Sequence, residues 1–300
     1  MKRILFLLMV CLLPAIAFAQ RALVLQTDFG LKDGAVAAMK GVAFGVSPAL
    51  PVFDLTHEIP PYNIWEAAYR LYQTAAYWPA GTVFVSVIDP GVGSSRKSVV
   101  LKTKSGHYFV TPDNGTLTLV AEHLGLDAIR EIDESRNRLP GSGQSYTFHG
   151  RDVYAYTGAR LAAGKIPFDS VGPRLPDSVV TIPYQKAQVS GNKILGNIPI
   201  LDVQYGNVWT NIGEKELNLL DVHYGDILKI SIYKGTSFRY QGTMPFVTTF
   251  SAVSPGNLLA YTNSLLQLSI AVNEDSFADK YQIGSGADWR IEVEKVKKAR

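Results

Sequence analysis

The sequence predicts two domains: an N-terminal α/β domain with a largely parallel sheet covered by helices, and a smaller antiparallel β domain at the C-terminus. Three observations predict this division. Strand and helix patterns alternate as far as about residue 165, prolines are frequent over residues 166–184, and short strand patterns separated by turns fill residues 186–300. Alternating elements are typical of a parallel sheet, whereas a run of strands favours antiparallel pairing. We place the boundary near residue 180, so the domains span residues 20–180 and 181–300.

The N-terminal elements follow from the spacing of apolar residues. Short runs of apolar, often β-branched residues predict strands, and apolar residues three or four positions apart predict helices. The predicted strands are residues 22–26, 52–55, 83–88, 99–103, 108–111 and 128–132. The predicted helices are residues 33–44, 63–77, 115–123 and 151–163.

The C-terminal part contains strand patterns and turns, with one clear helical pattern over residues 214–220. The predicted strands are residues 186–189, 193–200, 227–233, 238–240, 258–261, 268–271 and 290–296.

Residues 1–19 have the features of a secretory signal peptide. Lys2 and Arg3 precede an apolar stretch that ends in Ala17-Phe18-Ala19, a small-residue cleavage pattern. The apolar stretch is short for a membrane span. We therefore predict an exported protein, periplasmic or secreted, that is not associated with a membrane after cleavage. A retained N-terminal anchor is the alternative.

Composition excludes several classes of function. The single cysteine, Cys11, lies within the predicted signal, so the mature chain has no thiol for a disulfide, a zinc–thiolate site or a nucleophile. The chain carries 29 basic and 26 acidic residues without a basic run, which argues against a nucleic-acid partner.

Asp28, in the motif TDFGLKDG, follows the first predicted strand. Ligands bind beyond the carboxyl ends of the strands in open α/β sheets. A carboxylate at that edge can accept hydrogen bonds from the vicinal hydroxyls of a ribose. The alternative is an aspartate that caps the following helix.

The stretch VFVSVIDPGVGSSR places Asp89 directly after a buried strand and Arg96 a tight turn later. The two side chains can converge as an ion pair in an active-site loop. The alternative is an ion pair that only stiffens a turn.

His149, in TFHGRD, precedes a predicted helix. The positive end of the helix dipole disfavours imidazolium, which leaves a neutral ring suited to accept a proton or orient water. A histidine satisfied in the core or used as a cap is the alternative.

Polar groups among aromatic residues mark three further segments. LDVQYGNVWTNI contains Asp202 and Asn207, FSAVSPGNLLAYTNS contains Phe250 and Ser264, and Tyr62 follows DLTHEIPP. Such groups suit an amino-acid head group or a purine edge, and ordinary turns between strands are the alternative. The sequence has no HExxH motif, no calcium-loop motif and no G-x-S-x-G elbow, so we predict neither a metal site nor a serine hydrolase.

Six motifs occur in an order that resembles the S-adenosylmethionine (SAM) hydroxide adenosyltransferases, which are relatives of the fluorinases and chlorinases. They are TDFGLKDG, DLTHEI, DPGVGSSR, TPDNG, TFHGRD and YGNVWTN, and the resemblance covers roughly residues 22–296. It implies a homotrimer in which SAM, the substrate, lies between the N-terminal domain of one subunit and the C-terminal domain of its neighbour. It also implies a reaction without a cofactor, in which water displaces methionine from C5′ and yields adenosine.

The resemblance also implies roles for particular residues. Asp89, Arg96 and His149 match the catalytic set of the hydrolase branch, and the fluorinases have a tyrosine at the position of Asp89. The matching ligand contacts are Asp28 for the ribose, Tyr62 for the sugar and adenine region, Asp202 and Asn207 for methionine and adenine, and Ser264 for the methionine carboxylate. Phe250 is a candidate stacking residue from its own sequence context.

Two positions depart from the halogenating relatives, because Leu265 and Val272 stand where those enzymes have arginines. The functional prediction is SAM hydrolysis. The alternatives are an extracytoplasmic protein that binds SAM or adenosine without turnover, and a SAM-dependent halogenase, which Asp89 disfavours.

Overall fold

The structure, a computed structural model, describes residues 21–296, so the predicted signal peptide lies outside the described residues. Within that range, no helix is both long enough and apolar enough to cross a membrane.

A six-stranded sheet lies at the centre of the N-terminal part. Its strands are β1 (Leu23–Thr27), β2 (Val52–Thr56), β3 (Val83–Val87), β4 (Ser98–Thr103), β5 (Tyr108–Pro112) and β6 (Leu126–Glu131). They lie in the order β2-β1-β3-β5-β4-β6, in which the first four run parallel and β4 is antiparallel to both neighbours. The predicted largely parallel sheet is confirmed.

Helices cover both faces of this sheet. They are α1 (Ala35–Val46), α2 (Ile64–Ala75), α3 (Thr118–Leu124), α4 (Glu134–Asn137) and α5 (Tyr156–Ala162), the last preceded by a π-helical turn, Gly150–Ala155. Leu23 and Leu25 pack in one core with Met39 of α1, whereas Val24 packs in another with Leu71 of α2. All residues of β1 and β3 are buried, as expected for a parallel sheet covered on both faces.

Helix α5 crosses the sheet at close range. A Cβ at Gly158 would lie 2.4 Å from Val85 Cγ2, so only glycine fits there. The predicted single helix over residues 151–163 is in fact the π-helical turn followed by α5. This close contact holds α5 against the sheet. The π-helical turn and His149, which directly precede α5 in the chain, are therefore also held near the sheet.

Two antiparallel sheets form the C-terminal part. The first contains β7 (Gln188–Ser190), β8 (Lys193–Asn197), β11 (Ile227–Lys234), β12 (Ser237–Pro245) and β15 (Trp289–Lys295), in the order β12-β11-β15-β8-β7. The second contains β9 (Ile200–Asp202), β10 (Asn207–Gly213), β13 (Leu258–Thr262) and β14 (Gln267–Val272), in the order β13-β14-β10-β9. Two short helices accompany them, α6 (Glu214–Leu219) and α7 (Phe277–Tyr281). The predicted antiparallel β region is confirmed, but the predicted strand 193–200 is two strands in different sheets, and α7 was not predicted.

Residues 166–184, predicted to be a linker, run along the N-terminal part. Ile182 N donates to Thr118 Oγ1 at 3.0 Å. A direct contact joins the two parts, because Trp65 Nε1 donates to Pro199 O at 2.9 Å. The cut near residue 180 stays a prediction.

Candidate active site

Two carboxylates follow neighbouring parallel strands at one edge of the N-terminal sheet. Asp28 comes directly after β1, and Asp89 follows the adjacent strand β3. Both line a cavity of about 350 Å³, to which Tyr62 and His149 also contribute. We call this cavity the N-terminal cleft. It brings together four of the residues that the sequence predicted.

Arg96 holds the Asp89 carboxylate through both of its oxygens. Arg96 Nε donates to Asp89 Oδ1 at 2.8 Å, and Nη2 donates to Oδ2. On its other side, Arg96 Nη1 donates to Ser98 Oγ at 3.0 Å, and Ser98 Oγ lies 3.0 Å from Tyr154 OH. The guanidinium is not part of the cleft lining. It is anchored to β4 and fixes the plane of a carboxylate that does face the cleft.

His149 is buried at the side of the N-terminal cleft. Burial lowers the pKa of His149, the charges of Arg96 and Arg138 lower it further, and Glu134 and Asp89 act in the opposite direction. The net direction is down, so the ring is neutral near physiological pH. The sequence predicted a neutral ring from the helix dipole, whereas burial is the largest cause in the structure.

The ring of His149 also has one nitrogen available. Within residues 21–296, His149 Nδ1 is buried without a hydrogen-bond partner. A neutral imidazole with a nitrogen that has no partner among the described residues is chemically able to accept a proton.

Glu134 lies beside His149 and was not among the predicted site residues. Glu134 Oε1 is 3.6 Å from His149 Nε2, and Glu134 Oε2 accepts a hydrogen bond from Arg138 Nη1 at 2.7 Å. Arg138 in turn lies over the ring of Tyr146, 4.4 Å from its centroid. Glu134 belongs to the four-residue helix α4, which no periodic pattern marks.

Asp28 and Tyr62 contact each other at the mouth of the N-terminal cleft. Tyr62 N donates to Asp28 Oδ2 at 2.9 Å. Tyr62 has a φ of 69°, in the left-handed region that few residues other than glycine adopt. The residue is 73% exposed. A strained backbone that presents an aromatic ring beside a carboxylate is typical of a ligand contact.

Three other predicted residues line a second cavity, of about 700 Å³, in the C-terminal part: Asp202, Asn207 and Phe250. We call it the C-terminal cleft. Asn207 Nδ2 donates to Asp202 Oδ2 at 3.3 Å. The ring of Phe250 packs against Tyr261 with centroids 4.8 Å apart.

The turn between β9 and β10 depends on Gly206. Gly206 has a φ of +68°, and its N–H donates to Asp202 O at 2.7 Å. A Cβ at this position would lie 1.9 Å from Ser276 Oγ. The glycine therefore sets how Asp202 and Asn207, on either side of the turn, face the C-terminal cleft.

Ser264 lies in the exposed turn between β13 and β14 and lines neither cleft. The two positions that lack arginines are in different places. Val272 lines the C-terminal cleft, whereas Leu265 packs in an apolar cluster with Trp65 and Tyr69 of α2. Of these two positions, therefore, only residue 272 lies where the absence of an arginine changes the charge of the C-terminal cleft.

The N-terminal and C-terminal clefts share no lining residue among those that the structure describes. In residues 21–296, moreover, no three His, Cys, Asp or Glu side chains form a group that could hold a metal ion.

The chain matches two family models in succession. Residues 23–172 match the SAM hydroxide adenosyltransferase N-terminal domain, and residues 196–290 match the C-terminal domain of the same family.

Curated relatives and a solved structure agree with these matches. The chain is 42% identical over 212 residues to an (R)-S-adenosyl-L-methionine hydrolase from Methanocaldococcus jannaschii, covering 69% of this chain and 72% of that one. It is 34% identical to the hydrolase of that name from Salinispora tropica, covering 88% and 95% of the two chains, and 30% identical to a fluorinase from Nocardia brasiliensis, covering 93% and 97%. The crystal structure of an uncharacterized conserved protein from Thermotoga maritima superposes with a TM-score of 0.82 at 36% identity, over 90% of this chain and 99% of that one. The chain belongs to the SAM hydroxide adenosyltransferase family.

Proposed function

We propose that this chain hydrolyses SAM to adenosine and L-methionine by attack of water on C5′ of the ribose, without a metal or a cofactor. The observation that carries the proposal is that Asp89, held by Arg96, and a neutral His149 share one cleft with Asp28. The curated hydrolases among the relatives support it by name.

The chemistry asks little of the protein beyond positioning and proton transfer. Oxygen of water forms a bond to C5′ while the C5′–S bond breaks, and its electron pair stays on sulfur as the neutral thioether of methionine. A sulfonium therefore leaves without a proton donor. The remaining tasks are to place water in line behind C5′ and to accept its proton.

Asp89 and His149 are placed for those two tasks. The fork of Arg96 occupies one side of both carboxylate oxygens of Asp89 and leaves their remaining lone pairs for a water in the cleft. His149 supplies the proton acceptor, because its lowered pKa keeps the ring neutral. Asp28 accepts hydrogen bonds from the ribose hydroxyls, which orients C5′ toward both.

Product analysis in H₂¹⁸O tests this function. We expect the chain without residues 1–19 to convert SAM to equal amounts of adenosine and methionine, with one ¹⁸O in adenosine and none in methionine. The Asp89→Asn variant should bind SAM but turn over at least 100-fold more slowly, as expected when a proton-transfer or water-positioning group is lost. Tight binding by the wild type without any product would favour the binding-protein alternative, and a 5′-halogenated nucleoside in high halide would favour the halogenase.

We infer further that SAM spans the N-terminal cleft of one subunit and the C-terminal cleft of its neighbour in a homotrimer. The separation of the predicted residues into two cavities without a shared residue supports this arrangement, as does the family resemblance. Co-assembly of Asp89→Asn and Asn207→Ala chains would then restore active sites in which both halves are intact. Failure of the mixture to exceed either variant alone, with trimers verified by light scattering, would contradict a shared site.

Export is the remaining proposal, and it rests on residues 1–19. We expect the protein recovered from a secreting host to begin at Gln20. Sequencing its N-terminus by mass spectrometry tests this, and an intact Met1 in the cytoplasmic fraction would contradict it.

A further inference from the structure

His57, from the motif DLTHEI, is buried beside the N-terminal cleft and contacts the chain on both sides of Asp28. Its side chain is 2% exposed. His57 Nδ1 lies 2.8 Å from Thr27 Oγ1, on one side of Asp28, and His57 O accepts from Gly30 N at 2.8 Å, on the other. One residue of the neighbouring strand end thus fixes the segment that carries Asp28 at two points.

The hydrogen bonds around His57 form a continuous series. His57 Nε2 is 3.0 Å from Asp54 Oδ1, and because a carboxylate only accepts, Nε2 carries the proton. Nδ1 of the same ring is within hydrogen-bond distance of Thr27 Oγ1, which accepts in turn from Phe29 N at 3.2 Å. Hydrogen bonds therefore connect Phe29, Thr27, His57 and Asp54 in series.

Charge outside the core anchors the far end of this chain of hydrogen bonds. Lys40 Nζ donates to Asp54 Oδ2 at 2.7 Å. Burial raises the pKa of Asp54, but the hydrogen bonds from Lys40 and His57 outweigh it, so the net direction is down. Asp54 therefore remains an acceptor for His57.

The order Asp54–His57–Thr27 matches that of a nucleophilic triad, but it does not act as one. Thr27 is fully buried, and neither Thr27 nor His57 lines the N-terminal cleft. The N-terminal cleft reaches Asp28 but not the buried hydroxyl of Thr27. What the three residues do fix is the backbone on which Asp28 stands.

We propose that His57 is a positioning residue that holds Asp28 in place for the vicinal hydroxyls of the ligand's ribose. This inference rests on the proposed function, since it assigns those hydroxyls to Asp28. The buried Thr27 has the same positioning role, because His57 contacts the segment that carries Asp28 through the Thr27 hydroxyl.

Two variants break the contact between His57 Nδ1 and Thr27 Oγ1 in different ways. Thr27→Val keeps the shape of the side chain but removes the hydroxyl, and Thr27→Ser is its matched control because it keeps the hydroxyl. His57→Gln keeps an amide near the position of Nε2 but loses the contact from Nδ1. Thermal melting first shows which variants retain the wild-type fold, and either Thr27→Val or His57→Gln alone is sufficient for the test.

The measurement is the ratio of dissociation constants for 2′,3′-dideoxyadenosine and adenosine, obtained by calorimetry. We expect Thr27→Val and His57→Gln to reduce this ratio about tenfold, the effect of one weakened hydrogen bond to a charged group. Thr27→Ser should retain the wild-type ratio. In SAM turnover, the same variants should raise KM more than they lower kcat, because ground-state binding is lost.

A folded Thr27→Val or His57→Gln protein with the wild-type ratio would overturn the inference. A loss of affinity that is equal for both nucleosides would also overturn it, because a general structural defect does not discriminate between them. Failure of the wild type itself to bind adenosine and to turn over SAM would instead overturn the proposed function on which the inference rests.

Discussion

Arg96 is expected to act on catalysis only through Asp89, and a double-mutant cycle tests this. The variants are Asp89→Asn, Arg96→Gln and the two combined. The side chains are 6% and 12% exposed, and they are joined by two charge-assisted hydrogen bonds. Breaking a buried ion pair by removing one partner costs about 3–5 kcal/mol, because the other charge remains buried. Since both groups retain some contact with solvent, we expect about 3 kcal/mol in the free energy of unfolding for each single variant.

The combined variant leaves no unpaired charge. Its cost should therefore be well below the sum of the single costs, with a coupling energy of about 2 kcal/mol in urea unfolding. Additive costs, with a coupling energy below about 0.5 kcal/mol, would show that the pair does not form in solution and would refute the reasoning.

The turnover numbers (kcat) of the same variants provide a second test of whether Arg96 acts through Asp89. Arg96 does not line the N-terminal cleft, so adding Arg96→Gln to a chain that already carries Asp89→Asn should not slow kcat further. If the combined variant is slower than Asp89→Asn by the factor that Arg96→Gln alone produces, Arg96 acts on the substrate independently of Asp89.

Three further predictions concern pH, backbone and metal. Because burial holds the pKa of His149 below its usual value, kcat/KM should stay level as pH falls through 6.5 and decline only at lower pH. Glu134→Gln removes a charge that raises this pKa, so it should move the decline to still lower pH. A decline that moves to higher pH in this variant would contradict the assignment. Gly206→Ala should lower the free energy of unfolding in urea by at least about 2 kcal/mol more than Gly256→Ala does. Both glycines have a positive φ, but only a Cβ at residue 206 meets a neighbour, Ser276 Oγ at 1.9 Å. Equal costs would show that the Ser276 side chain moves aside freely. Dialysis against a strong chelator should leave kcat unchanged, because a sulfonium leaves without a Lewis acid, and activity restored only by added metal would contradict the proposed chemistry.

The sequence predicted best what is local in the chain. Asp89 and Arg96 are separated by one tight turn, so their pairing follows from a short stretch whose glycines close it. Strands β1 and β3 were predicted nearly to their ends, because each is a short run made mostly of apolar, β-branched or leucine residues. The edge of the sheet where Asp28 and Asp89 meet follows from the rule for parallel strands.

What the sequence did not predict depends on contacts between distant segments. Glu134 reaches His149 only because the short helix α4 packs beside the π-helical turn, and no pattern in either segment encodes that contact. The sorting of the C-terminal strands into two sheets is likewise set by long-range pairing. Ser264 was assigned by resemblance, and its position in an exposed turn follows from how β13 and β14 pair.

Under the proposed export and shared site, the separation of the two clefts has a further consequence. Outside the cell a protein is diluted, and a catalytic centre built from halves on different chains exists only while those chains remain together. Catalysis would then report on assembly: subunits that drift apart would each keep a carboxylate pair and an aromatic pocket, but neither alone would complete a turnover. Such a shared site would confine the consumption of a reactive sulfonium to the intact oligomer.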